Sequence, residues 1–575
     1  MQVKSFPKDM SALDIDPREP RRCLVSGLFE EEVAVGDEKR KFLTYIRPGQ
    51  LYSQPCVVIA PPDGTPTLDW LKKSHWIDFA EKAGVFLHVM IPAEGGWNTD
   101  GSDAEYMNKI YLQIQSRKYY ITIQDNIYAV GIGKGAIIAQ QAAMKMTSEW
   151  SGLATFGEMD SSALLNAETA GGTHATGATE LAVSGDKAQL PVWMAWGENA
   201  GANADVCAYW KAQNDADPEP YASKWADEIY FPSTVCKKSQ INEEKISQVR
   251  VTNGFAGEPD ASLWDAVWAY IRKACRHRSF GTKALRNFAD PIAYGAELHR
   301  MDYAGFTRTW YEYVPASVQN SAGPVPLVIC MHGRGGSAES FMDMSGINRV
   351  AEERGFIAMI PEAGVYQQNA GGLRNVLLWN GEYKGERIDD TGFILAAIRD
   401  IKARRNIDAT RVYACGQSSG GMMSSDLAIA APDVFAAVAP WSAIVNPSFS
   451  SPLPESISPI VPYMFLFGNR DWLCVDKENG ELEYHIARNV AAFLKNLMKL
   501  YGLNETPMRY TCGEISYFVY QNAKGVPLLV VGSVKGMTHA NYPRESWISY
   551  DEFLCKFSKR EDGTLLYMGK DVIGD

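Results

Sequence analysis

Ser418 is the residue best placed to do chemistry. It centres Gly416-Gln-Ser-Ser-Gly420, between a strand-like apolar stretch, Arg411 to Cys415, and an apolar-periodic helix from Met422 onward. A serine on a sharp strand-to-helix turn needs glycines two positions to either side, because the backbone is strained and the flanking segments approach closely. In a chain with 49 glycines the letters alone are only moderately specific. The strand before and the helix after are what make this a nucleophile elbow. A serine hydroxyl is a weak nucleophile, so it requires a base in hydrogen-bond reach and an acid to orient that base. The chemistry such a set performs is acyl transfer.

The chain order for an elbow of this kind is serine, acid, histidine. Of eight histidines only His485 and His539 follow Ser418. His485 falls in a helix-like run, Glu481 to Met498, whereas His539 follows the apolar strand Pro527 to Val534 by the short loop Lys535-Gly-Met-Thr538. A base that overhangs the strand ends belongs in that loop, so elimination and position agree on His539. The acid is Asp471, in the turn Gly468-Asn-Arg-Asp471 after the strand Tyr463 to Phe467, with Asp476 as its rival five residues on. Donors for a developing oxyanion are expected from the backbone N–H of Ser419 and of Arg334, the latter in His332-Gly-Arg-Gly-Gly336. The Arg334 side chain is expected to reach substrate, and His332 to support its loop. Trp441 and Trp472 are candidate pocket walls, set against plain packing.

These residues must be carried by strands and helices, and an internal repeat supplies the plan. Pro326 to Gly336 has a counterpart in Pro55 to Gly64, Val350 to Pro361 in Phe79 to Pro92, and Ile407 to Gly416 in Asp125 to Gly131. Val461 to Gly468 matches Leu190 to Gly197, and Leu529 to Gly536 matches Ser247 to Gly254. Alternating strand and helix over such lengths predicts parallel sheets with helices on both faces. The expected domains are 1–290 and 291–575, divided near the polar stretch Arg276 to Tyr294. Only the second copy carries the chemistry. The first has Gly133 at the nucleophile position, Ala200 at the acid and Gly257 at the base. Its Gly131-Ile-Gly-Lys-Gly135 lies deep in the repeat without a Walker lysine-serine pair, so it does not read as a nucleotide site. The insert Gly157 to Gln189 is a loop of this first copy.

At 575 residues the chain has room for more than one domain, and a net charge of −12 argues against nucleic acid or an anionic membrane as partner. Ten dispersed cysteines form no Cys-x-x-Cys pair, and no cofactor or metal site is expected. Met1 to Arg22 is polar with no apolar signal core, which gives a cytoplasmic expectation. A homo-oligomer is compatible with all of this.

The motifs of the second half, with Trp379-Asn380 and Asp389-Asp-Thr-Gly-Phe-Ile394 added, resemble the esterase family of polyhydroxybutyrate depolymerases, to which feruloyl and acetylxylan esterases are related. The resemblance covers roughly residues 300 to 555. It implies two tandem α/β-hydrolase-like domains, the first degenerate. It also implies a serine esterase acting on small or oligomeric esters of hydroxyalkanoate, aryl or acetyl type. Asp389 or Asp390 would cap its helix. Arg334 stands where the family usually has a small or apolar residue, which points to a polar or anionic acyl group. The rival readings are a serine peptidase of the oligopeptidase type and a non-catalytic binding or scaffold protein built from two hydrolase folds.

Overall fold

The computed structural model describes residues 2–8, 13–115, 119–120, 122–167, 183, 187–233, 245–277, 283–319, 321, 323–368, 374–445, 458–475 and 486–572. The chain forms two compact units, one of Met1–Asp14 with most of residues 21–288, the other of Ile15–Pro20 with Ala289–Asp575. The segment at 15–20 belongs with the second unit, where Pro17 O accepts the Thr307 N–H at 3.0 Å. No local pattern in the sequence signals that crossing.

The sheet of the first unit contains β1 (Val3–Lys4), β2 (Gly27–Val35), β3 (Glu38–Ile46), β4 (Gln54–Ala60), β5 (Phe86–Met90) and β6 (Thr122–Ile132). It continues with β7 (Gly152–Phe156), β8 (Val192–Ala195), β9 (Glu228–Tyr230) and β10 (Val249–Thr252). Its order is 1-2-3-5-4-6-7-8-10-9, with a parallel centre running from β5 to β10. Successive side chains point to opposite faces, and both faces are buried. Cys56, Val58 and Ala60 enter one apolar cluster with the helices Ser102–Ile114, Gly135–Lys145 and Ala202–Gln213. Val57 and Ile59 enter another with the helices Thr67–Lys73, Trp76–Ala83 and Ala261–Ile271.

The second unit repeats the plan. Its sheet holds β11 (Glu297–Tyr303), β12 (Phe306–Tyr313), β13 (Val325–Met331), β14 (Ile357–Pro361) and β15 (Ile407–Gln417). The remainder are β16 (Ala437–Trp441), β17 (Tyr463–Gly468), β18 (Met508–Cys512), β19 (Ile515–Gln521) and β20 (Pro527–Val534). The order 11-12-14-13-15-16-17-20-19-18 matches that of the first unit strand for strand from β2 to β9, with β18 added at the edge.

The correspondence reaches individual atoms. Ala60 pairs with Gly131 as Met331 pairs with Gly416. Trp97 Nε1 donates to Pro61 O at 2.7 Å, and Trp379 Nε1 to His332 O at 2.7 Å. Arg40 pairs with the buried Asp103, which accepts the Asn98 N–H at 2.7 Å. Arg308 likewise pairs with the buried Asp390, which accepts the Asn380 N–H at 2.6 Å. These groups fasten the loops at the carboxyl ends of the strands. Among the described residues no helix is long and apolar enough to cross a membrane.

Candidate active site

Strand β15 delivers Ser418 directly into the helix Ser419–Ala430, with Ser418 at φ 56° and ψ −120°. That conformation is strained for a residue with a Cβ and persists only where the surroundings over-determine it. Here they do. The Ser418 N–H donates to Trp441 O at 2.8 Å, and its C=O accepts the Met422 N–H at 3.0 Å. A Cβ on Gly416 would lie 2.5 Å from Met331 O, and one on Gly420 would collide with the same carbonyl. One on Gly421 would strike Ala443 O. The glycines are demanded by close backbone approach, and the strand and helix are each longer than the sequence pattern indicated.

His539 Nε2 lies 2.8 Å from Ser418 Oγ, and its Nδ1 lies 3.0 and 2.9 Å from the two oxygens of Asp471. A carboxylate facing Nδ1 places the imidazole proton there and leaves Nε2 as an acceptor toward the hydroxyl. Asp471 is fully buried. Its own N–H closes the turn onto Gly468 O at 3.0 Å, and its Oδ1 also accepts the Leu473 N–H at 2.9 Å. The acid turn and the base loop are stitched together. Arg470 N–H reaches Met537 O at 2.9 Å, and Gly536 N–H reaches Asn469 Oδ1 at 2.9 Å. Burial and the adjoining Asp471 carboxylate hold the Cys474 thiol well above its ordinary pKa. Asp476 and His485 lie outside the described residues.

Ser419 is the first residue of its helix, so its amide is one of the donors that a helix N-terminus leaves without an intrahelical acceptor. The His332–Gly336 turn packs on the elbow, and a Cβ on Gly333 would stand 3.3 Å from Ser418 Cβ. His332 is buried and holds that turn. Its Nε2 accepts the Ala363 N–H at 3.1 Å, which assigns the proton to Nδ1, donating to Gly333 O at 2.8 Å. Arg334 is exposed, with its guanidinium carbon 6.0 Å from the centre of the Tyr366 ring.

The two tryptophans separate. Trp472 is 61% exposed, and its ring lies 4.8 Å from that of His539, at the edge of the site. Trp441 is fully buried, with its Nε1–H donated to Ser549 Oγ at 2.8 Å. The expectation that Trp441 walls an open pocket is therefore corrected. Its side chain fills the core, and only its carbonyl serves the elbow. Asp389 rather than Asp390 caps its helix, accepting the Gly392 N–H at 2.8 Å.

Sequence reasoning missed Ser442, Asn541 and Glu545, which brace the base loop. Ser442 Oγ donates to Ala540 O at 2.8 Å, and Asn541 Nδ2 to Glu545 Oε2 at 2.9 Å. Their only sequence signal is nearness to His539 or to β16. Glu297, His299 and Glu312 group within 4.8 Å as metal ligands might, but Arg404 and Arg405 pair with Glu312, and Arg405 with Glu297. The carboxylates are neutralised by guanidinium groups, so this is an ion-pair cluster.

In the first unit the same place is occupied differently. Gly133 keeps the elbow conformation at φ 58°, close to that of Ser418. By strand register, Pro62 corresponds to Gly333. A Cβ on Gly133 would lie 3.3 Å from Pro62 Cβ. Bulk has thus changed sides between the turn and the elbow, and proline has no N–H to offer there. Ala200 and Gly257 are both exposed. Glu228 accepts from Asn199 Nδ2 at 3.1 Å and from Asn253 Nδ2 at 3.0 Å, joining the two strand-end loops without a titrating base. Of the insert at 157–189, residues 168–182 and 184–186 lie outside the described residues.

Residues 310–454 match the family described as esterase PHB depolymerase. A feruloyl esterase B of Thermothelomyces thermophilus is 26% identical over 218 residues, covering 38% of this chain and 71% of that protein. A poly(3-hydroxyalkanoate) depolymerase C of Paucimonas lemoignei is 26% identical over 247 residues, covering 40% of this chain and 57% of that protein. The chain thus spans less than two thirds of the depolymerase. A solved acetyl xylan esterase from Aspergillus awamori aligns at 15% identity and a TM-score of 0.32, covering 44% of this chain and 98% of that one. The match to the PHB depolymerase esterase family model thus lies within the second half of the chain.

Proposed function

We propose that the second unit is a serine carboxylic-ester hydrolase working through Ser418, His539 and Asp471. The observation that carries this reading is the continuous hydrogen-bonded line from Ser418 Oγ through His539 to the buried Asp471 carboxylate. His539 Nε2 takes the hydroxyl proton as Oγ attacks the ester carbonyl, and the amides of Ser419 and Arg334 hold the oxyanion. The C–O bond to the alcohol then breaks, and His539 returns the proton to the departing oxygen. Water, deprotonated by the same nitrogen, attacks the acyl carbonyl, and His539 then passes that proton to Ser418 Oγ as the acyl–Oγ bond breaks and the acid departs. Asp471 keeps the imidazole proton on Nδ1 and stabilises the imidazolium throughout.

Small or oligomeric esters of hydroxyalkanoate, aryl or acetyl type are the substrates we assign. The activities after which the relatives are named favour these classes. The exposed guanidinium of Arg334 favours a polar or anionic acyl portion. The first unit we read as a catalytically silent copy, since Gly133, Ala200 and Gly257 offer no nucleophile, acid or base.

The test is hydrolysis of p-nitrophenyl esters from acetate to octanoate by wild type and Ser418→Ala, with fluorophosphonate labelling alongside. Activity lost in the variant, and a single label that maps to Ser418, support both parts. Turnover of aminoacyl amides in preference to esters would replace this reading with a peptidase, and a folded wild type that neither hydrolyses nor labels would replace it with a binding protein.

A further inference from the structure

We infer that Gln417 is a further catalytic residue, whose carboxamide Nε2 supplies a third donor to the oxyanion. The inference rests on the esterase reading above. Gln417 is the last residue of β15, directly before the nucleophile, and it is fully buried. Among the described residues neither its Oε1 nor its Nε2 meets a hydrogen-bond partner. Comparable amides of the first unit are paired at both ends. The buried Gln140 takes the Trp210 Nε1–H and donates to Thr155 Oγ1. Asn108 takes the Trp150 Nε1–H and donates to Ala142 O, and Asn214 both takes the Leu190 N–H and donates to Leu190 O. A buried amide with neither end paired destabilises a fold, and one that persists beside a nucleophile points to a partner arriving with the substrate. The hydroxyl of Ser419, on the other flank of Ser418, is buried without a partner as well.

The first unit makes the same turn without that amide. Gly131 corresponds to Gly416 by strand register, and Ile132 pairs with Phe156 as Gln417 pairs with Trp441, so Ile132 holds the Gln417 position. Ile132 is fully buried in an apolar cluster. The fold therefore accepts a wholly apolar side chain here, and the copy that lacks the triad has one. The carboxamide also has a definite place in the site. A Cβ on Gly333 would collide with Gln417 Oε1 and stand 3.3 Å from Ser418 Cβ. The amide thus fills the room left by a glycine of the turn that offers the Arg334 N–H, where the first unit has Pro62. What the reaction brings to that side of Ser418 is the carbonyl oxygen, which becomes negatively charged as Oγ attacks. With neither end tied, the amide can turn its NH2 group to that charge. A donor unpaired in the resting enzyme and paired in the tetrahedral intermediate raises kcat rather than tightening substrate binding. Burial strengthens the effect, since the local dielectric is low.

The experiment compares wild type, Gln417→Met and Gln417→Ile in kcat and KM for p-nitrophenyl acetate, in the rate of fluorophosphonate labelling and in melting temperature. Methionine keeps the length of the side chain without the donor, and isoleucine is the residue of the first unit. Both variants should lose about 10²- to 10³-fold in kcat, the effect of removing one oxyanion donor, and should label more slowly. KM should stay within about threefold. The melting temperature should be unchanged or higher, because an unpaired polar group has left the core. A folded variant that keeps kcat within about threefold of wild type overturns the inference alone. So does a loss of kcat that comes with a lower melting temperature, or failure of both variants to fold, since the amide is then a packing element. A wild type that neither hydrolyses nor labels overturns the esterase reading and this inference with it.

Discussion

Replacing Asp471 by Asn exchanges one carboxylate oxygen for an amide nitrogen and should nearly abolish turnover. The reason lies in the neighbouring amide. The Leu473 N–H is fixed 2.9 Å from Oδ1, so an asparagine must place its oxygen there to avoid opposing two donors. Its NH2 then faces His539 Nδ1, where one of the carboxylate oxygens stood at 2.9 Å. An N–H pointing at Nδ1 turns that nitrogen into an acceptor and moves the imidazole proton to Nε2, 2.8 Å from Ser418 Oγ. The base now presents a proton to the group it should deprotonate. A wrong tautomer in intact geometry costs about 10⁴ in kcat, or roughly 5 kcal/mol of transition-state stabilisation. KM should stay within about threefold, since no substrate contact is lost. Steady-state kinetics on p-nitrophenyl acetate measure both constants, and circular dichroism with a thermal scan establishes that the variant is folded. A folded Asp471→Asn enzyme that keeps more than a tenth of wild-type kcat would refute the assignment of Asp471 as the orienting acid.

Asp390→Ala removes the buried partner of Arg308 and leaves the Gly364 and Asn380 N–H groups without their carboxylate, so urea unfolding should show the second unit destabilised by about 3–5 kcal/mol. Trp472→Ala, at a residue 61% exposed, should leave the melting temperature nearly unchanged while raising KM for aromatic esters more than it lowers kcat, in kinetics on a matched ester pair. Gly133→Ser in a Ser418→Ala background should restore neither hydrolysis nor labelling, because the new Cβ meets Pro62 at 3.3 Å and no base waits there. The Glu545 carboxyl has a folded value of about 8 against an ordinary 4.5, so the folded state binds the extra proton between those limits. Its stability contribution is whole below about pH 4.5 and is lost as pH rises through 8. Thermal scans should therefore show Glu545→Gln gaining on wild type, by a few kcal/mol at most, as pH is raised from 5 to 9.

Much of the site was legible because its signals are local. Glycines at 416 and 420 announce close backbone approach, and a histidine or aspartate one short turn beyond an apolar strand announces a strand-end loop. The repeat was legible because strand, helix and glycine cap recur at like spacing in both halves. What escaped depends on distance through space. Trp441 looks from its position like a pocket wall, yet the depth at which β16 ends decides its burial, and no window of sequence reports depth. Asp390 resembled a helix cap until the structure supplied Arg308, 82 residues earlier, as the partner that holds it inside. Glu545 carries no motif at all. Its carboxyl is pushed up by burial, with a lesser contribution from Asp471, and burial is not read from residues adjacent in the chain.

The exchange of bulk between Pro62 and Gly133 also bears on whether the first unit could be given a triad. A serine placed at position 133 meets a proline, and a glycine placed at position 62 faces no serine, so neither change alone moves the first unit toward a triad. With Ala200 and Gly257 at the positions that correspond to the acid and the base, chemistry like that we propose for the second unit would require at least four coordinated substitutions in the first.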